Sequence, residues 1–328
     1  MNSVLGRVAV LLDRRFMLVS LLPVLIFVAS LSLFIVFVTD NGRAALNWWI
    51  RLPGSLQIAF VLLFLAVVGL LAGFVDSQLR NLTQFFEGYP LEKVAPRLYD
   101  RAAAWHSTRR LVMGHPAGAA RDEAAKQIGW RKPRRATRHQ EEFWVLYPEA
   151  ERPFMPTRLG NVIRAAEDYT ELRFGADYLL VWPRLAHLCT ERFIQDYEME
   201  RAKVDLLLVV STLSALFGFV GGSTVLVVNG PILLFAGLVL GSFGLARVAY
   251  SSAVVAAVEY GEQIRTSMDL FRLELLRQLR YPEPRNLAEE ERSWVEFTKI
   301  LRYGTKRRSE YEQSVPRPDD PPLGDPVV

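Results

Sequence analysis

PILLFAGLVLGSFGLARVAYSSAVVAAVEYGEQIRTSMDLFRLELLRQL, residues Pro231–Leu279, has no proline after its first position and no charge before Arg247. Its first third is apolar or small. Charges then enter, while Met268, Phe271, Leu275 and Leu279 hold one stripe at helical spacing. Only glycines interrupt it, so the stretch reads as one helix. At 1.5 Å per residue its 49 residues would reach about 73 Å. A bilayer hydrocarbon core is only ~30 Å thick. One end of this helix suits lipid and the other suits a water-facing domain.

Upstream lies Leu206–Val220, an apolar run that opens beside Asp205. GGSTVLVVNG, Gly221–Gly230, separates the two runs; it is uncharged and turn-like at both ends. From Pro183, acceptable in a first helical turn, no strong breaker appears before Gly218. The expectation is an antiparallel pair of long helices that leaves the membrane together as a stalk. Asp205 and Arg247, at the same edge of this pair, are candidates to bond each other.

Two more apolar blocks stand near the N-terminus. Phe16–Val38 is 23 residues without a charge, and Leu56–Val75 has Gln57 as its one strongly polar member. The first is too long for a cleaved signal segment, and no small-residue cleavage site follows it. Basic residues near span ends set orientation. Arg7, Arg14 and Arg15 precede the first block, the 39–55 loop has Arg43 and Arg51, and residues 76–203 have 21 Lys+Arg. Both termini and the central segment are therefore expected on the cytoplasmic side. Trp48 and Trp49 then fall at the outer water–lipid interface, where indoles anchor.

The predicted fold is an all-α integral membrane protein with four transmembrane helices in two hairpins. Residues 1–15 form the cytoplasmic N-terminus. Residues 16–75 form the first hairpin (spans 16–38 and 56–75), and 204–246 the second (spans 206–220 and 231–246). A mostly helical cytoplasmic domain covers 76–203, a cytoplasmic helical extension 247–308, and a disordered proline-rich tail 309–328. Composition agrees. The chain of 328 residues is 51% hydrophobic and 23% charged, with a mean hydropathy of +0.14. Those values coexist only if apolar residues are segregated into blocks, which excludes an ordinary soluble enzyme. The single cysteine, Cys189, excludes a disulfide scaffold.

Inside the central segment, helices are expected at 76–88 (continuing the second span until Gly88-Tyr89-Pro90) and at 96–113. Glu142–Tyr147 is a strand candidate. Thr157 can cap a helix that buries Leu159, Val162, Ile163 and Ala166 and ends at Gly175. Asp177 restarts the chain, and Glu289–Tyr303 reads as a last helix.

The functional candidates are of four kinds. GxxxG pairs at Gly69/Gly73, Gly218/Gly222 and Gly237/Gly241 leave flat strips for close helix packing, within the chain or between copies. Ser211, Thr212 and Ser214 would line a pore if several subunits gathered them round an axis; the bland alternative is bonding back to their own helix. Asn161, Arg164, Glu167 and Asp168 share the polar side of the Thr157-capped helix, as a solvated face or a partner surface. Arg131, Lys132, Arg134, Arg135 and Arg138 form a basic run suited to anionic lipid headgroups. The central segment balances 21 basic against 18 acidic residues, too even for a nucleic-acid domain.

No metal or cofactor is expected. His106, His115, His139 and His187 lack ligand spacing, and His187-x-Cys189 would point to different sides of a helix. Nucleotide, hydrolase and metalloprotease motifs are missing from the sequence. No midplane acid serves a coupled transporter.

PTRLGNVIRAAEDY (156–169), YLLVWPRL (178–185) and YGEQIRTSMDLFRLELLRQL (260–279) resemble segments of an uncharacterised family of bacterial multi-spanning membrane proteins. The resemblance covers about a third of the chain. It implies a bacterial cytoplasmic membrane and attaches no activity or site residue. The expected function is a non-enzymatic scaffold or signalling component whose cytoplasmic domain binds a partner. Its partners would be the bilayer and a second protein or another copy. An oligomeric ion channel is the alternative, and a membrane-bound enzyme on lipid-linked substrates the third reading.

Overall fold

The structure, a computed structural model, describes residues 14–114, 126, 146–148 and 153–303. All regular structure among the described residues is helical. In chain order the helices are Arg14–Val38 (α1), Gly42–Arg51 (α2), Gly54–Ser77 (α3), Leu79–Glu87 (α4), Tyr89–Val94 (α5) and Pro96–Gly114 (α6). Then come Arg158–Phe174 (α7), Tyr178–Leu185 (α8), Glu191–Val227 (α9), Ile232–Gln278 (α10) and Leu287–Tyr303 (α11). Four of them, α1, α3, α9 and α10, are long and apolar enough to cross a membrane. The strand candidate lies mostly outside the described residues; Leu146 within it is helical.

The 47-residue α10 is unbroken, as its sequence implies. Its partner differs from expectation at both ends. α9 runs on to Val227, so the connection shrinks to 228–231. Gly218, Gly221 and Gly222 stand inside the helix, because each faces a side chain of α10 at a distance that leaves no room for a Cβ. At the other end, the single helix expected from Pro183 is two. Leu188 N–H bonds the Leu185 carbonyl at 2.9 Å in a tight turn, and the Thr190 hydroxyl accepts from Phe193 N–H to cap α9. The turn lets Leu185 enter the core below α10.

The second span also breaks earlier than expected, at Gln78 rather than Gly88. The 39–55 connection contains an amphipathic helix, α2, with Leu46, Trp48 and Ile50 exposed. Trp48 packs edge-on against Phe60. In α1, residues Met17–Leu21 form a π-helical turn. Pro23 explains it: proline offers no N–H to the Val19 carbonyl and crowds it, and the wider turn relieves both.

α9 and α10 pack antiparallel, with contacts from Tyr197–Tyr260 at one end to Gly222–Val239 at the other. Around the polar halves of this pair sits the main core. Trp294 and Phe297 of α11, Leu185 of α8, Phe174 of α7, and Ile264, Met268 and Leu276 of α10 are all buried in it. α7 lies close on α10, where a Cβ on Gly261 would stand 3.1 Å from that of Ala166. The predicted buried side of α7 is buried: Leu159, Val162 and Ile163 pack on Ala253, Val254 and Ala257, and Ala166 joins the main core. Thr157 caps α7 through Gly160 N–H, and Gly175 closes it at φ +73°.

Candidate functional site

Titratable groups gather in one place, at the corner where α4 meets α5 and leans on α7. The corner is a tight clasp. Gly88 turns the chain at φ +99°, and a side chain there would strike Pro156 and Thr157. The Thr157 hydroxyl donates to the Glu87 carbonyl at 2.9 Å. That carbonyl leaves no space for a Cβ at Gly160, which would lie 2.5 Å away.

The half-buried carboxyls of Glu87 and Glu167 flank this clasp, with Arg164 between them electrostatically. Burial pushes Glu87 up to about 7, although the Arg164 charge opposes this. Burial also pushes Glu167 up to about 7; the Glu87 charge adds to the rise and Arg164 offsets part of it. Arg164 also bonds the Tyr89 hydroxyl and lies 3.5 Å from the buried Asp168. Burial, Glu87 and Glu167 raise the Tyr89 phenol in turn. Burial outweighs the single guanidinium charge, so both carboxyls are shifted toward the protonated form near neutral pH. Such a pair can hold or release a proton; Arg164 among the acids opposes a metal cation. Among the described residues no cluster has metal-ligand geometry.

A second polar knot adjoins the start of α7. His106 of α6 is buried and its Nδ1 is 3.3 Å from the Tyr147 hydroxyl. Burial lowers the imidazole to about 4, with the charges of Arg109 and Arg158 contributing. It is therefore neutral under physiological conditions. Cys189, half-buried at the α8–α9 turn, donates to the Leu185 carbonyl, and burial pushes its thiol up to about 11, out of the reactive range.

The structure separates the polar residues of α7 that the sequence groups on a solvated or partner-facing side. Asn161 is fully buried: its Oδ1 accepts from Met155 N–H, and its Nδ2 donates to the carbonyls of Met155 and Thr157. Asp168 is also buried. Asn161 is enclosed by the segment that precedes α7, and Asp168 lies against Arg164 one turn away. Arg164 and Glu167 stay half-buried within the corner. The sequence missed Glu87, Tyr89 and the Gly88/Gly160 clasp. A glutamate before Gly-Tyr-Pro reads as an ordinary solvated helix end, and nothing local signals that a helix seventy residues on will cover it.

The remaining candidates fall in different places. Ser211 donates to the Ala246 carbonyl across the α9–α10 seam at 2.9 Å, Thr212 donates to Leu208, and Ser214 lines an apolar groove. Gly218 and Gly222 face α10, whereas Gly69, Gly73, Gly237 and Gly241 have open space where a Cβ would go. Asp205 bonds Arg15 at 2.7 Å instead of Arg247, which turns to Ser251 and the Tyr250 ring. Arg131, Lys132, Arg134, Arg135 and Arg138, with His115 and His139, lie outside the described residues. No protein-family model matches the chain, nor does any curated protein or solved structure.

Proposed function

We propose that this chain is a non-enzymatic scaffold or signalling component of a bacterial cytoplasmic membrane, with both termini and a helical domain on the cytoplasmic side. The domain binds a protein partner and is joined rigidly to the spans. The supporting observation is the continuity of α9 and α10. Each runs as one helix from an apolar end into the core that also contains α7, α8 and α11. A displacement of the spans is thereby carried into the domain without a hinge. The α4–α7 corner adds a second link, since α4 follows α3 after a bend at Gln78. The half-buried Arg164 and Glu167 offer the contact surface. The channel reading has less support, because Ser211 and Thr212 spend their hydroxyls on helix carbonyls.

The test is photocrosslinking in cells from a probe at Glu171, next to the corner, against a control probe at Val227. A discrete cytosolic adduct from Glu171 alone, lost in Arg164→Glu protein of unchanged elution volume, is the expected outcome. Equal adducts from both positions, or turnover by the purified protein alone, would overturn the reading.

A further inference from the structure

A groove of about 490 Å³ runs between α1 and the α9–α10 pair. Its walls are apolar: Leu18 and Ile26 of α1, Leu206 and Val210 of α9, Leu245 of α10. It is a slot with a closed end. Phe27 and Phe217 meet edge-on there, and Phe34 packs against Phe217 beyond them, over Gly221. From Leu18 to Ser30, the α1 wall rises twelve residues, or about 18 Å. One leaflet of a ~30 Å hydrocarbon core is about 15 Å deep. The slot is therefore as deep as one acyl chain is long, and it ends near the bilayer midplane.

The open end is basic. Arg14, exposed, lies one turn before Leu18, and Lys203 lies one turn before Leu206. Both are exposed just outside the groove, and Arg15 lies between α1 and α9. The nearby acids Glu200 and Asp205 are already engaged. Arg15 bonds the buried Asp205, and Glu200 takes one of the three donors of Lys203. Among the described residues, the Arg14 guanidinium and two ammonium donors of Lys203 have no partner. Apolar walls below and surplus positive charge above match an amphiphile with one buried tail and an anionic head.

We propose that this slot holds an acyl chain of an anionic phospholipid from the adjoining leaflet, with its phosphate against Arg14 and Lys203. The lipid would fill the space between α1 and α10, on the flank of the direct α1–α9 contact. The role is independent of the partner-binding reading, and each can fail alone.

The experiment is native mass spectrometry of the full chain in mild detergent, titrated with dioleoyl phosphatidylglycerol or dioleoyl phosphatidylcholine. The wild type should bind one phosphatidylglycerol in preference to phosphatidylcholine. Arg14→Gln/Lys203→Gln, at exposed positions that leave folding intact, should weaken that preference about fivefold per charge, since each basic residue near a lipid surface contributes ~1 kcal/mol. Ser214→Phe, which fills the slot from its wall, should abolish binding of both lipids. Equal affinity for the two lipids in the wild type would overturn the proposal. So would a phosphatidylglycerol preference that survives Ser214→Phe, which would place the headgroup elsewhere. A lipid-free dimer would overturn it in favour of a second copy in the slot.

Discussion

The two halves of the α9–α10 pair solve opposite packing problems. Where the pair is polar outside, it is wrapped by α7, α8 and α11, and Trp294 is 0% exposed. Where the pair is apolar outside, α1 rests on it and α3 packs mainly on α1, so Leu63 of α3 is 59% exposed. The same helices run through both regions, and the apolar half has the length and composition of helices that could cross a membrane. Apolar area exposed to water costs about 25 cal/mol per Å² and must be covered by the chain. In hydrocarbon there is no such drive, and helices are held by close packing and a few polar bonds. Among the described residues the apolar half shows such bonds in Arg15–Asp205, Ser20 donating to Asp76 at 3.1 Å, and Ser211 donating to the Ala246 carbonyl.

If the contrast is right, core truncation should separate the halves most widely. Trp294→Ala should cost about 3–5 kcal/mol and release α11, read as early proteolysis and a lower Tm in detergent. Leu63→Ala should change the Tm little. A Leu63→Ala loss comparable to that of Trp294→Ala would mean α3 has a protein neighbour in the membrane.

Glycine substitution sharpens the comparison within the apolar half. Gly222→Val meets Val239 and Phe235 and should cost about 1–3 kcal/mol by overpacking. A Cβ at Gly69 has nothing within 4 Å among the described residues, so Gly69→Val should cost little. Thermal unfolding of the two variants side by side measures the gap. A collapse of oligomer size in Gly69→Val alone would show that the open strip serves contacts between copies.

Smaller effects test the corner. Thr157→Ala removes the α7 cap and the bond to the Glu87 carbonyl, and should lower stability by ~1 kcal/mol. Hydrogen exchange at Gly160 and Asn161 locates the loss. The smallest effect is in pH. Glu87 and Glu167 titrate near 7 when folded and near 4.5 when unfolded, so the folded state holds more protons between those values. Stability should therefore fall as pH rises from 4.5 to 7 and level off above. Both groups are half-buried, so solvent screening keeps the change near ~1 kcal/mol or below. Glu167→Gln should flatten the curve; an unchanged slope would show that Glu167 is ionised throughout.

Legible in the residues alone are the helices and their apolar blocks: four apolar stretches, the 3.6-residue stripe through Met268 and Leu275, and the stop signals at Gly88 and Gly175. Each depends on local composition or backbone preference, which a window of neighbours contains. Tertiary structure alone decided which polar residues are inside. Asn161 and Asp168 lie on the polar side of α7 in any helical projection, yet both are buried, Asn161 because the segment before α7 folds back over it. Glu87 acquires its raised proton affinity from burial, and Asp205 its bond to an arginine 190 residues distant rather than to the nearby Arg247. Burial and charge pairing depend on what approaches in space, and for Glu87 and Asp205 the approaching segments are far away in the chain.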